Sequence, residues 1–169
     1  SYSLGEIAAI TGESETALIS RHLTTRQGTP FPEPVDGFRI RQRVLHVLTE
    51  AERVDRSCRA LECRDAAGFG RLMNQSHQSC DINYGLSTPE LNALVSIMRE
   101  GGACGARLTG AGFGGCAIAL VQDSLVEKMI DTIRKRYYGK YIPECRPDIS
   151  PEEILFAIKP SRGADVQIL

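Results

Sequence analysis

No Cys-x-x-Cys pair occurs in this sequence of 169 residues, and no Cys/His cluster at zinc-ligand spacing, although there are six cysteines, Cys58, Cys63, Cys80, Cys104, Cys116 and Cys145. That excludes a zinc site of the usual spacing. It leaves the expectation of reduced cysteines in a cytoplasmic protein, mostly buried as small hydrophobes. An excess of charge is also missing: 20 Lys and Arg against 21 Asp and Glu give a net charge of −1. No strong attraction to a polyanion follows from that balance. There is no apolar run of about 18 residues, the length a membrane helix needs, so no membrane span is expected. The first ten residues, SYSLGEIAAI, carry no basic segment and do not read as a signal peptide. They also lack a starting Met, as expected of a processed or cut chain.

What is present suffices for a core. Hydrophobic residues make up 42% of the chain, and its length fits one domain or one domain with an appendage. Ser3 and Glu6 form a capping box that predicts a helix through Ile10, stopped by Gly12. Ser14 is placed to cap a second short helix carrying Leu18 and Ile19, and the Pro-, Gly- and Thr-rich stretch 24–37 reads as a loop. Ile40, Val44, Val47, Leu48, Ala51, Val54, Cys58 and Leu61 then recur at spacings of three and four. They predict a long helix with these residues as its buried stripe and Arg41, Arg43, Glu50, Glu52, Arg53 and Arg56 opposite. A third helix is predicted over about 65–77, burying Phe69, Leu72 and Met73. Ser87–Glu90 reads as another capping box, with Leu86 and Leu91 as its hydrophobic staple. Strands are predicted at 104–109, 116–121 and 154–159, with a helix marked by Leu125, Val126, Met129, Ile130, Ile133 and Tyr137. The tail half is therefore α+β, with helices layered on a sheet.

Between the first two of these strands lies RLTGAGFGGCAIALV, residues 107–121. Gly110, Gly112 and Gly115 satisfy G-x-G-x-x-G, but a strand rather than a helix follows, so a dinucleotide fingerprint is not met. No Gly-Lys-Ser/Thr follows either, which excludes a Walker loop. The loop reads as a tight connection between strands whose glycines can adopt positive φ and leave backbone N–H groups uncovered. Such a concavity suits an anion, most often a phosphate. The plain alternative is a glycine-rich hairpin packed closely on a neighbouring helix.

RLTGAGFGGC followed by an apolar strand resembles the third conserved motif of the GHMP small-molecule kinases, most closely that of galactokinases. RVLHVLTE at 43–50 with Arg53-Val54 is similar to that family's R-A-x-H-V-x-x-E-x-x-R-V helix. FGRLMNQSH at 69–77 resembles F-G-x-L-M-x-x-S-H, STPEL at 87–91 matches S-x-P-E-L, and KPSRGA at 159–164 resembles x-P-S-x-G-A. The order holds from Phe38 to Ala164. The resemblance implies an α+β GHMP kinase C-terminal domain over 38–169, helices on an antiparallel sheet in a ferredoxin-like layer. Residues 1–37 form an extra helical segment and loop ahead of it. It also implies ATP and Mg²⁺ as cofactors, a sugar substrate, and a role for Gly110, Ala111, Gly112, Phe113, Gly114 and Gly115 in supporting the nucleotide phosphates. The family's sugar-holding segment, its phosphate-wrapping loop and its catalytic Asp have no counterpart here. The resemblance thus implies an N-terminal kinase domain as partner, no catalytic residue and no metal ligand in this chain, and a fragment inactive alone and prone to self-association. A β-branched residue at Gly112 is expected to harm ATP binding more than stability.

Other readings stay open at this point. Cys80 and Tyr84 resemble the form found in N-acetylgalactosamine kinases, plants and yeast, and some yeast relatives of galactokinases are non-catalytic sensors of sugar and ATP. LGEIAAITGESETALISRHL resembles a DNA-binding helix-turn-helix, though only Arg21, His22 and Arg26 are basic there, against Glu6, Glu13 and Glu15. His46 and His77 are expected to be packing or capping residues, Cys116 a small core residue opening a strand, and Asp81 a solvated loop residue.

Overall fold

The computed structural model describes residues 1–139 and 154–160. Two eight-residue helices come first, α1 (Leu4–Thr11) and α2 (Glu15–His22). The Ser3–Glu6 capping box forms as the sequence predicts, Gly12 closes α1 in the left-handed region, and Ser14 caps α2. An isolated bridge between Tyr2 and Phe38 and a bond from the Leu4 amide to Glu33 tie this pair to the loop that leads into α3 (Ile40–Glu62). Next come α4 (Ala66–Ser79), capped by Asp65, and a π-helical turn over Cys80–Tyr84. α5 (Pro89–Glu100) follows, then the hairpin β1 (Gly105–Thr109) and β2 (Cys116–Leu120), then α6 (Val126–Ile133), which runs on as a π-helical turn to Tyr138.

The core lies where α5 and α6 cover one face of the hairpin. Leu94, Val95, Ile97, Met98, Ala106, Met129, Ile133 and Tyr137 form one buried cluster. Each fully buried aliphatic side chain there stabilises by about 1.5–3 kcal/mol. A smaller cluster of Cys80, Leu91 and Leu108 sits at the other end of β1.

The α+β architecture stands, with three corrections in detail. Among the described residues the sheet has two strands, paired antiparallel with Gly105 opposite Leu120 and Thr109 opposite Cys116. The ferredoxin-like layer called for more. The strand predicted at 154–159 is not one: Leu155 packs on the main core, while Phe156 and Ile158 are exposed and make no ladder. One edge of the hairpin is closed to a third strand because α4 lies along β1. Residues 161–169, with most of the KPSRGA stretch, lie outside the described residues.

The second correction concerns α3. Ile40, Val44, Val47, Leu48, Val54 and Leu61, read as its buried stripe, are 40–65% exposed. The helix meets α4 through a polar stripe instead, formed by His46, Glu50 and Arg53. His46 Nδ1 lies 3.0 Å from Ser79 Oγ, and Ser76 Oγ donates to Glu50 Oε1 at 2.5 Å. Both stripes have helical period, and hydrophobicity alone selects the wrong one. The polar face is buried because its groups find partners.

Third, α5 is capped by Thr88, which accepts from the Leu91 amide, not by Ser87. With the cap one residue later, the staple positions fall on Ser87 and Asn92, and there Ser87 Oγ donates to Asn92 Oδ1 at 2.6 Å. Leu86 is left with a different task.

Candidate functional site

The glycine loop closes the β1–β2 hairpin above the Thr109–Cys116 pair. Gly110, Gly112, Phe113, Gly114 and Gly115 all have positive φ. Phe113 is the informative one, since a bulky residue at φ 58° is strained and persists only when its surroundings hold it there. Here the Phe113 amide donates to Leu86 O at 2.7 Å, and the ring stands 74% exposed. The amides of Gly110, Ala111, Gly112, Gly114 and Gly115 have no backbone partner among the described residues. A Cβ at Gly110, Gly114 or Gly115 would meet nothing within 4 Å. Uncovered amides on an open, left-handed backbone fit a phosphate group.

Gly112 departs from the expectation placed on it. A Cβ there would lie 2.5 Å from Leu86 O and 2.8 Å from Leu86 Cβ. The glycine is required for packing on the approach to α5, so a side chain at 112 strikes Leu86. The open positions are Gly110, Gly114 and Gly115.

The loop stands on β1, and β1 leans on α4. Asn74 Oδ1 accepts from the Ala106 amide at 3.0 Å, and His77 Nδ1 accepts from the Leu108 amide at 3.3 Å. His77 is therefore a packed residue, as expected, with its proton on Nε2. Burial, first of all, pushes its pKa below the ordinary value; Asp81 and a hydrogen bond with Asn92 oppose the shift, and Arg99 and Arg107 add to it. His46 is likewise consumed, between Ser79 and the Tyr84 ring at 4.8 Å. Neither histidine is free to serve as a general base.

Arg107, beside the loop in sequence, turns inward. Its guanidinium reaches Glu50 at 4.0 Å and Cys80 Sγ at 4.0 Å. Burial raises the Glu50 pKa, but hydrogen bonds from Ser76 and Arg53 and the charges of Arg53 and Arg107 outweigh it and hold the carboxyl below its ordinary range. Burial pushes the Cys80 thiol up, which makes it inert. Cys116 was expected in the core but is exposed, because it opens β2 at the rim of the loop. Cys58 and Cys63 are exposed as well, so burial is not the rule for the five described cysteines, all of them free. Cys145 lies outside the described residues.

Sequence reasoning missed the groove next to the loop. It encloses about 600 Å³ between Val44, Val47 and Leu48 of α3, the 84–86 segment and Phe113. Arg43 forms one wall, stacked 5.0 Å from the centre of the Tyr84 ring and bonded to Asn83 O. Cys80 and Tyr84 are thus packing residues here, one in the core and one under Arg43. Among the described residues no group of three or more His, Cys, Asp or Glu is placed to hold a metal, and no helix is long and apolar enough to cross a membrane.

The family model of the GHMP kinases C terminal matches residues 57–139, from the second half of α3 to the end of the helix after the hairpin. That span is a GHMP kinase C-terminal domain. It carries the glycine loop, β1, and the α4 residues that hold β1. The galactokinase of Dictyostelium discoideum is 33% identical to this GHMP kinase domain and its flanks over 189 aligned residues, taking in 96% of the chain. The galactokinase of Streptococcus thermophilus is 45% identical over 97 residues, 57% of the chain. Among solved structures, that of Lactococcus lactis galactokinase complexed with galactose superposes with a TM-score of 0.57 at 33% identity, covering 62% of this chain. The chain spans 36% of the Dictyostelium protein, 25% of the Streptococcus protein and 27% of the Lactococcus chain.

Proposed function

We propose that this chain is the C-terminal domain of an ATP-dependent sugar kinase, a galactokinase, which phosphorylates galactose to galactose 1-phosphate in the cytoplasm. The observation that carries the reading is the loop 110–115, with its uncovered amides on an open left-handed backbone, set within a GHMP kinase C-terminal domain. ATP would supply the phosphoryl group, and Mg²⁺ would offset the charge that develops on its phosphates. The described residues offer Mg²⁺ no ligand set.

The part played by this chain is positioning. Amides of Gly110, Ala111, Gly112, Gly114 and Gly115 would hold the phosphates by donating to them, with the exposed Phe113 ring beside them at the tip of the loop. Leu86 fixes the tip of the loop, and β1 fixes its base. A general base for the sugar hydroxyl is not supplied by His46 or His77. It belongs to the N-terminal kinase domain, the partner this domain needs. On this reading the chain divides at 37/38, with the α1–α2 pair and its loop as a separate segment. Arg21, one of the few basic groups near that pair, is already bonded to Glu13 at 2.9 Å, which supports a packing role over contact with nucleic acid.

The test is a coupled assay with ATP, Mg²⁺ and galactose on this chain and on the full-length protein. Turnover in the full-length protein and none in the chain alone is the expected result. Turnover by the chain alone above about 1 s⁻¹, within the range of ordinary enzymes, would sink it. N-acetylgalactosamine in parallel decides the sugar.

A further inference from the structure

Among the described residues β1 has a partner strand on one side only, and a two-stranded hairpin is marginal by itself. On the other side α4 stands in for a strand. The amides of residues 106 and 108 project from the same edge because the strand period is two. Asn74 and His77, three residues apart on one helix face, accept them. One helical turn before Asn74, Gly70 lets the two backbones touch. Leu108 is 1% exposed and is followed directly by Thr109, which closes the loop.

We propose that Asn74 and His77 are positioning residues for the glycine loop: by taking the edge amides of Ala106 and Leu108 they set the pose of the β1 end from which residues 110–115 spring, and protonation of His77 releases it. The proposal rests on the phosphate reading of that loop only for its consequence on ATP. Protonated, Nδ1 becomes a donor facing a donor, and the bond to the Leu108 amide is lost. The groups that face the ring are Asp81 from the π-helical turn, Asn92 and Arg99 from α5 and Arg107 from β1. The two arginines and burial favour the neutral ring.

The experiment compares the full-length wild-type protein with His77→Gln, which keeps an acceptor but cannot titrate, and His77→Phe, which has none. Gly114→Val serves as a control in the loop itself. Amide-exchange protection and ATP affinity are followed from about pH 8 to about pH 5.5, across the ordinary histidine range. In the wild type, protection of 106–115 and ATP affinity fall together by about five- to tenfold toward acid, the loss of one hydrogen bond, while α5 keeps its protection. His77→Gln stays flat across the range. His77→Phe, where it folds, is weak at every pH. Superimposable pH profiles for wild type and His77→Gln, or a wild-type loss spread evenly over α5 and the loop, overturn the proposal. Exchange that behaves as stated, with ATP affinity untouched by Gly114→Val, upholds the positioning and overturns the phosphate reading.

Discussion

Gly70 of α4 and Gly105 of β1 meet backbone to backbone: a Cβ on Gly105 would overlap the Gly70 carbonyl, and one on Gly70 would overlap Cys104 O. The helix therefore touches the strand without intervening side chains, and only at that distance can Asn74 and His77 reach the edge amides. Gly70→Ala is expected to cost about 1–3 kcal/mol, the range for overpacking a core. Urea unfolding checks it, as a lower midpoint with unchanged slope. A neutral Gly70→Ala would show that the helix can back away.

Two glycines of the loop are expected to fail differently. Gly112→Ala strikes Leu86 O and is expected to lower stability by about 1–3 kcal/mol. Gly114→Val meets open space, so its stability loss is expected to come from backbone strain alone, about 1–3 kcal/mol for a side chain held at φ 116°. In the full-length protein Gly114→Val is expected to weaken ATP binding by about tenfold or more, as loss of charge-assisted bonds does. Thermal melts and ATP titrations on the same samples separate the two effects.

Acid should unsettle the fold in two steps. The His77 pKa lies below its ordinary 6.5, so its contribution is full above that value and fades as the pH falls through it. The Glu50 pKa lies below its ordinary 4.5, so its contribution persists further and fades only below that value. Stability measured against pH is expected to drop first below about 6.5, a step that His77→Gln removes. The second drop, below about 4.5, is expected to be missing in Glu50→Gln. A single transition unaffected by either substitution would count against both assignments.

The exposed stripe of α3, with Val44, Val47 and Leu48 lining the groove, is expected to make the isolated chain self-associate. Leu48→Glu should shift sedimentation of the chain toward monomer without lowering its melting temperature, because Leu48 is 65% exposed. In the full-length protein the same change is expected to lower stability or activity, since the N-terminal domain would cover this face. A wild-type chain that sediments as a clean monomer at high concentration argues against the idea.

Much of this was legible in order of elements. Local chemistry places the helices and the hairpin: Ser3 with Glu6, Ser14 and Asp65 are caps whatever the rest of the chain does, and the glycines between two apolar runs force a turn. Five motifs in order carried the family, because each stretch preserves its spacing. What periodicity could not decide was which of two stripes on α3 faces inward. That depended on whether Ser76 and Ser79 of another helix would be present to bond Glu50 and His46. The same holds for the apolar run at 154–159, which reads as a strand but makes no ladder in the described structure.

The sequence by itself determined where helices begin, where the chain must turn with positive φ, and which family the pattern resembles, since these depend on residues within a turn or two of one another. Only the tertiary structure decided that Gly112 is pressed against Leu86 while Gly114 is open, and that His77 completes a strand edge. It also decided that the apolar side of α3 is the one left exposed. Those outcomes hang on contacts between residues 26 to 33 positions apart in sequence, such as Ser76 with Glu50, His77 with Leu108 and Ser79 with His46. No local pattern encodes them, because the partner that satisfies a buried polar group is brought to it only by the packing of the whole domain.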